Sequence, residues 1–158
     1  MFALIFGLSF LANAQDVQKD QPKGYQFTDI KRLPATSVKD QARAGTCWSW
    51  SGISFFESEM IRMGKEPIDL SAMYIVRHAY SDKATKFVRL HGSMNFAVGG
   101  AFCDVMHVIK NYGIVPMDVY MGLNYGEPNH AFGEIDDVLA GYINAVIKNS
   151  NKKLSTAW

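Results

Sequence analysis

Cysteine, histidine clusters and net charge are all scarce in this sequence. Only two cysteines, Cys47 and Cys103, occur among 158 residues. That is too few for a disulfide framework and leaves at most one bridge. The four histidines, His78, His91, His107 and His130, are scattered, without the short Cys/His spacings of a zinc site. The formal net charge is +1 and no basic block stands out, so nothing points to nucleic acid or an acidic membrane surface. No internal repeat or low-complexity tract is present. What the sequence does have is ordinary globular composition, 48% hydrophobic and 20% charged. That is enough for one domain with a real core.

The opening stretch, "MFALIFGLSFLANAQ", is apolar but too short to span a bilayer as a stable helix. It ends Ala12-Asn13-Ala14, a small-x-small pattern like a signal-peptidase site. The expectation is a clipped export signal over residues 1–14, which implies a periplasmic or secreted protein. The alternative is a buried N-terminal strand, which leaves the protein cytoplasmic. Residues 15–38 read as a lead-in, polar at first and punctuated by Pro22, Gly24 and Pro34. Residues 39–158 read as the domain proper.

Apolar periodicity there predicts four helices. One begins at or next to Cys47, with Ile53, Phe56, Met60 and Met63 on a stripe and Gly64 at its end. A second starts after Ser71, a good N-cap, and runs through Met73, Tyr74 and Val76. A third places Phe102, Val105, Met106, Ile109 and Tyr112 on one face, stops at Gly113, and cannot pass Pro116. A fourth runs from about Glu134 into the 140s with Ile135, Val138, Leu139, Tyr142 and Val146 on one side. The stretches 81–100 and 116–130 read as loops, with Gly99-Gly100 a flexible spot.

One stretch carries chemistry: "QARAGTCWSWSG", Gln41 to Gly52. A thiol at a helix N-terminus meets the positive end of the macrodipole and unpaired N–H groups, which favour the attacking thiolate. The N–H of Cys47 and the side-chain N–H of Gln41 form a candidate pair of donors for an oxyanion. Gly45 allows close backbone approach, and Trp48 is placed to shield the pair from water. Taken singly, each feature has a commoner explanation: an inert small hydrophobe for the cysteine, a solvated side chain for the glutamine, core packing for the tryptophan. Together they are far less ordinary.

This pattern, Gln41-x5-Cys47-Trp48 with Gly45, resembles the signature of the papain-like cysteine peptidases. A second block, Gly99-Gly100-Ala101-Phe102 followed by a helix and "YGIVP", resembles that family's substrate-binding Gly-Gly loop. The resemblance runs in order from about Lys39 to Pro116, with "DLSAMYIV" between the blocks. It implies that Cys47 is the nucleophile and Gln41 its partner in the oxyanion hole. It also implies that Gly99 and Gly100 meet substrate backbone and that Phe102 borders the pocket for the second residue before the cut. Trp48 is counted with the substrate-binding residues, and no metal or organic cofactor is required.

The resemblance further implies an α+β, papain-like fold, of which this chain supplies mainly the helical N-terminal domain without the β-rich one. Ala44 stands where secreted members usually carry a cysteine. That departure, and the polar stretch after "YGIVP", look more like the bleomycin hydrolase and aminopeptidase C branch, whose members are typically hexamers acting on peptides. Ala101 departs from that branch's usual glutamine. The family's catalytic His and Asn have no convincing counterpart here; His130 in "EPNHAF" lacks an orienting partner. The expected function is therefore a thiol peptidase, of aminopeptidase type, whose N-terminal part alone is inactive. The rival is a non-catalytic module that holds peptides in the same groove. A disulfide-exchange role for Cys47 is disfavoured by the lack of Cys-x-x-Cys.

Overall fold

The structure, a computed structural model, describes residues 24–25, 27–124 and 126–148. The expected export signal over 1–14 lies outside the described residues. The chain forms two units, residues 1–32 and 33–158. Among the described residues the second holds four helices: α1 (Cys47–Arg62), α2 (Ala72–Arg89), α3 (Phe102–Tyr112) and α4 (Gly133–Ile147). Among the described residues β pairing is confined to two isolated bridges, Arg43 with Ala131 and Leu70 with Pro116. The expectation of a mainly helical chain holds there.

α1 opens after Thr46 and closes in a Schellman turn. Gly64, at φ +77°, donates to the Ile61 carbonyl, and Lys65 donates to that of Met60. Ile53 is buried with Phe56 and Met60 packed beside it, as the stripe predicts. Met63 is not part of that stripe: it is the exposed C-cap residue, where the helix leaves the core. Between α1 and α3 the backbones come close at Gly52, where a Cβ would lie 2.8 Å from Val105 Cγ2.

α2 is capped as expected, the Ser71 hydroxyl accepting the N–H of Tyr74 at 3.0 Å. It is much longer than its sequence pattern suggests, and residues 81–89 are helix, not loop. No glycine or proline interrupts it before Gly92, and Phe87 and Val88 pay for the extension by packing on Ile143 of α4. The helix ends with His91 and Gly92 both at positive φ.

The apolar faces of α3 and α4 are rotated from the sequence reading. α3 buries Val105 and Val108, while Phe102, Met106 and Tyr112 are largely exposed. The close approach at Gly52 centres the seam on Val105. α4 buries Ile143 alone and leaves Val138 and Tyr142 exposed, because α2 is the one helix it packs against among the described residues. A hydrogen bond from the Tyr80 hydroxyl to Asp136 Oδ1, 2.6 Å, adds to that seam. Burial first, then this bond to Asp136, pushes the Tyr80 phenol well up.

A candidate thiol active site

Cys47 is the first residue of α1, and its thiol is exposed and free. The preceding residue, Thr46, is the kind that usually caps a helix. Here it does not. Its fully buried hydroxyl instead accepts the indole N–H of Trp50 at 3.1 Å, and no side chain caps the first turn. Among the described residues the N–H of Cys47 therefore has no acceptor. An exposed thiol and an open backbone donor sit on one residue, where the helix field favours negative charge.

Gln41 stands in a tight bend just ahead. The Ala42 N–H donates to Asp40 Oδ1 at 2.7 Å, Ala42 is held at φ +49°, and Ala44 donates back to the Gln41 carbonyl at 3.2 Å. The Gln41 side-chain amide makes no hydrogen bond among the described residues, and its Oε1 is buried without a partner. Oε1 can only accept, so an oxyanion would be met by the Nε2 hydrogens of the same half-buried amide, which make no hydrogen bond among the described residues.

Trp48 joins this end of α1 to the Gly-Gly loop. Its ring is 8% exposed, and its Nε1 donates to the Val98 carbonyl at 3.0 Å. Gly100 rests on the ring: a Cβ there would lie 2.5 Å from Trp48 Cε2. Lys83 of α2 stands 5.3 Å over the same ring and donates to the Gly99 carbonyl. Val98 also backs Gly45, which at φ +63° would place a Cβ 3.2 Å from Val98 Cγ1. Both glycine-bearing loops are thus fastened through Val98 and Trp48. Trp48 acts from beneath the Gly-Gly loop, and its indole is covered by that loop instead of standing exposed beside the thiol.

Phe102 opens α3, 46% exposed, stacked on Phe56 at 5.8 Å and edge-on to Phe55 at 5.6 Å. Phe55 is an exposed aromatic that the sequence reading passed over, packed edge-on to Phe102. Cys103 lies in α3 next to Phe102, exposed and free, because the buried seam of α3 runs through Val105 and Val108.

Among the described residues no histidine makes a hydrogen bond or ion pair with Cys47. His107 pairs with Asp82 at 3.1 Å, and His78 stacks on Tyr112 at 4.3 Å. His130 is buried against Trp50, and that burial lowers its pKa. A cavity of about 420 Å³ lies between α2 and α4, walled by Met73, Tyr80, Phe96, Phe132 and Ile143, with none of the site residues in its lining. Concavity alone would have pointed away from the thiol.

The model of the papain family of cysteine proteases matches residues 22–137. The chain belongs to the papain family. No curated protein matches it. Family membership makes a thiol peptidase the kind of protein this is. The matched span includes both the Gln41–Trp48 stretch and the Gly-Gly loop.

Proposed function

We propose that the intact protein is a thiol aminopeptidase that cleaves peptide bonds through a thioester on Cys47. The observation that carries this is the uncapped first turn of α1, with an exposed thiol and an unengaged N–H on the same residue. The Cys47 sulfur attacks the scissile carbonyl carbon. The oxygen, now negative, takes hydrogen bonds from the Cys47 N–H and the Gln41 amide. The amine leaves with a proton from an imidazole, and water then releases the acyl group. That imidazole is one other than the four histidines described, so residues 15–158 made alone have no turnover. Gly99 and Gly100 pair with substrate backbone, and Phe102 with Phe55 contacts its side chain. The aminopeptidase assignment rests on the resemblance to the bleomycin hydrolase branch, supported by the fully buried Ala44 and the two free cysteines.

Two measurements on the intact protein test this. An aminoacyl-coumarin substrate should be cleaved, and its N-acetylated form should not; equal cleavage of both would make the enzyme an endopeptidase. Gln41→Ala should lower kcat by about 10²–10³ with little change in KM, since an oxyanion donor acts chiefly in the transition state. An unchanged kcat would remove Gln41 from the site. Absence of any thiol-dependent turnover would favour the peptide-holding module.

A further inference from the structure

The bend that carries Gln41 is held from outside by one short segment. The Arg43 N–H donates to the His130 carbonyl at 2.9 Å, and the Phe132 N–H donates to the Arg43 carbonyl at 3.3 Å. These two bonds make the parallel bridge between Arg43 and Ala131. Each end of the segment is anchored separately. Phe132 packs on the core beside Tyr80, ring centres 6.3 Å apart. His130, 6% exposed, lies 5.6 Å from the Trp50 ring, and Trp50 in turn holds Thr46, the residue before the nucleophile. The bend needs such support. Ala42 sits at positive φ, a conformation that a residue with a Cβ keeps only where its surroundings impose it.

We propose that His130 is a positioning residue for the oxyanion hole: its buried ring, seated on Trp50, fixes residues 130–132 against Arg43 and so sets where Gln41 stands relative to the Cys47 N–H. This rests on the reading of Gln41 as an oxyanion donor. His130 does not touch the reacting atoms.

The ring works in its neutral form. Its Nδ1 is buried with no partner, and a second N–H would find no acceptor there. A cavity of about 260 Å³ beside it is lined by Lys39, Asp40, Trp50 and Met117. Lys39 and Asp40, of opposite charge, are the charged groups lining that cavity, and neither makes a hydrogen bond to the ring. Burial accordingly lowers the His130 pKa. The unfolded chain takes up the proton first, near pH 6.5, so the support is complete above about that pH and weakens as pH falls through the lower folded value.

The test is a double-mutant cycle in the intact, active protein, using Gln41→Ala and His130→Ala. His130→Ala should lower kcat by about 10- to 100-fold, the scale of an ångström-sized misplacement, with KM little changed. In the Gln41→Ala background the same substitution should have almost no further effect. His130→Phe, which keeps a flat ring on Trp50 and does not titrate, should recover most of the lost kcat and remove part of the acid limb of the kcat profile. If His130→Ala fails to fold, the acid limb of His130→Phe decides, and a limb identical to that of the parent overturns the proposal. Equal loss from His130→Ala in both backgrounds also overturns it, while leaving Gln41 an oxyanion donor. No loss from Gln41→Ala alone sinks the oxyanion reading and this proposal together.

Discussion

Gly100 lies so close to the Trp48 indole that a methyl group at its α-carbon would stand 2.5 Å from Cε2. No side-chain rotation relieves that contact, because the Trp48 ring is held from its Nε1 side by the Val98 carbonyl and faced by Lys83. Gly100→Ala should therefore displace the Gly-Gly loop and destabilise the fold by about 1–3 kcal/mol, the usual scale of overpacking. Denaturant midpoints and kcat/KM should fall together. A fully active, equally stable variant would show that the loop moves freely over Trp48.

Gly52 poses the same question inside a helix, where two effects oppose. Alanine in place of glycine favours an α-helix by about 1 kcal/mol. Its Cβ would meet Val105 Cγ2 at 2.8 Å in the α1–α3 seam. Overpacking there costs about 1–3 kcal/mol, so Gly52→Ala should be net destabilising or close to neutral, never stabilising by the full helix gain. Adding Val105→Ala should relieve the clash, so the pair should be more stable than Val105→Ala alone. Additive losses in urea denaturation would contradict this coupling.

Glu57 is buried in α1 and holds three donors. Its carboxylate accepts from Lys39 Nζ at 2.7 Å, Thr36 Oγ1 at 2.5 Å and the Leu70 N–H at 2.7 Å. The contact fastens Thr36 and Lys39, just ahead of the Gln41 bend, to the helix of the nucleophile. Glu57→Ala should cost about 1–3 kcal/mol, since it leaves the buried Leu70 N–H without an acceptor and takes one of two carboxylates from the half-buried Lys39. Glu57→Gln should cost less, because its amide oxygen can still accept the Leu70 N–H. Chemical denaturation of both variants checks the order.

Lys39 also gives the protein an alkaline limit. Burial draws its pKa down, but the hydrogen bonds to Asp69 and Glu57 and their charges outweigh this and leave it raised. The folded state thus holds the proton more tightly than the unfolded one. The stabilisation is complete below about pH 10.4 and is lost as pH rises through the raised value. Lys39→Met should flatten the alkaline arm of a stability–pH profile; an unaltered arm would assign it to another group.

The two thiols should separate by recognition, not by access. Both are exposed, so a small alkylating agent should reach Cys47 and Cys103 alike. A peptidyl epoxide should modify Cys47 alone, because in the proposed mechanism only Cys47 has the Gln41 amide ahead of it to receive the substrate carbonyl. Mass spectrometry of the labelled intact protein reads this directly. Peptidyl labelling that survives Cys47→Ala would remove the nucleophile assignment.

The helix starts and stops were local matters, legible in the sequence. Ser71 caps because its hydroxyl reaches a backbone N–H three residues on, and Gly64 and Gly113 end helices because glycine accepts positive φ. The Gln41-x5-Cys47 spacing was also legible, being local sequence within the span matched by the papain family model. Tertiary structure decided the rest. Which face of α3 or α4 is buried depends on what it packs against, and a broad apolar stripe does not choose between Val105 and Met106; the backbone contact at Gly52 does. Residues 81–89 are helical because Phe87 and Val88 find Ile143, a partner more than fifty positions away. Trp48 became the post under the Gly-Gly loop, and His130 a buried neighbour of Trp50, through contacts over fifty and eighty residues of chain. Periodicity records which residues are apolar; only the packed chain determines what each one touches.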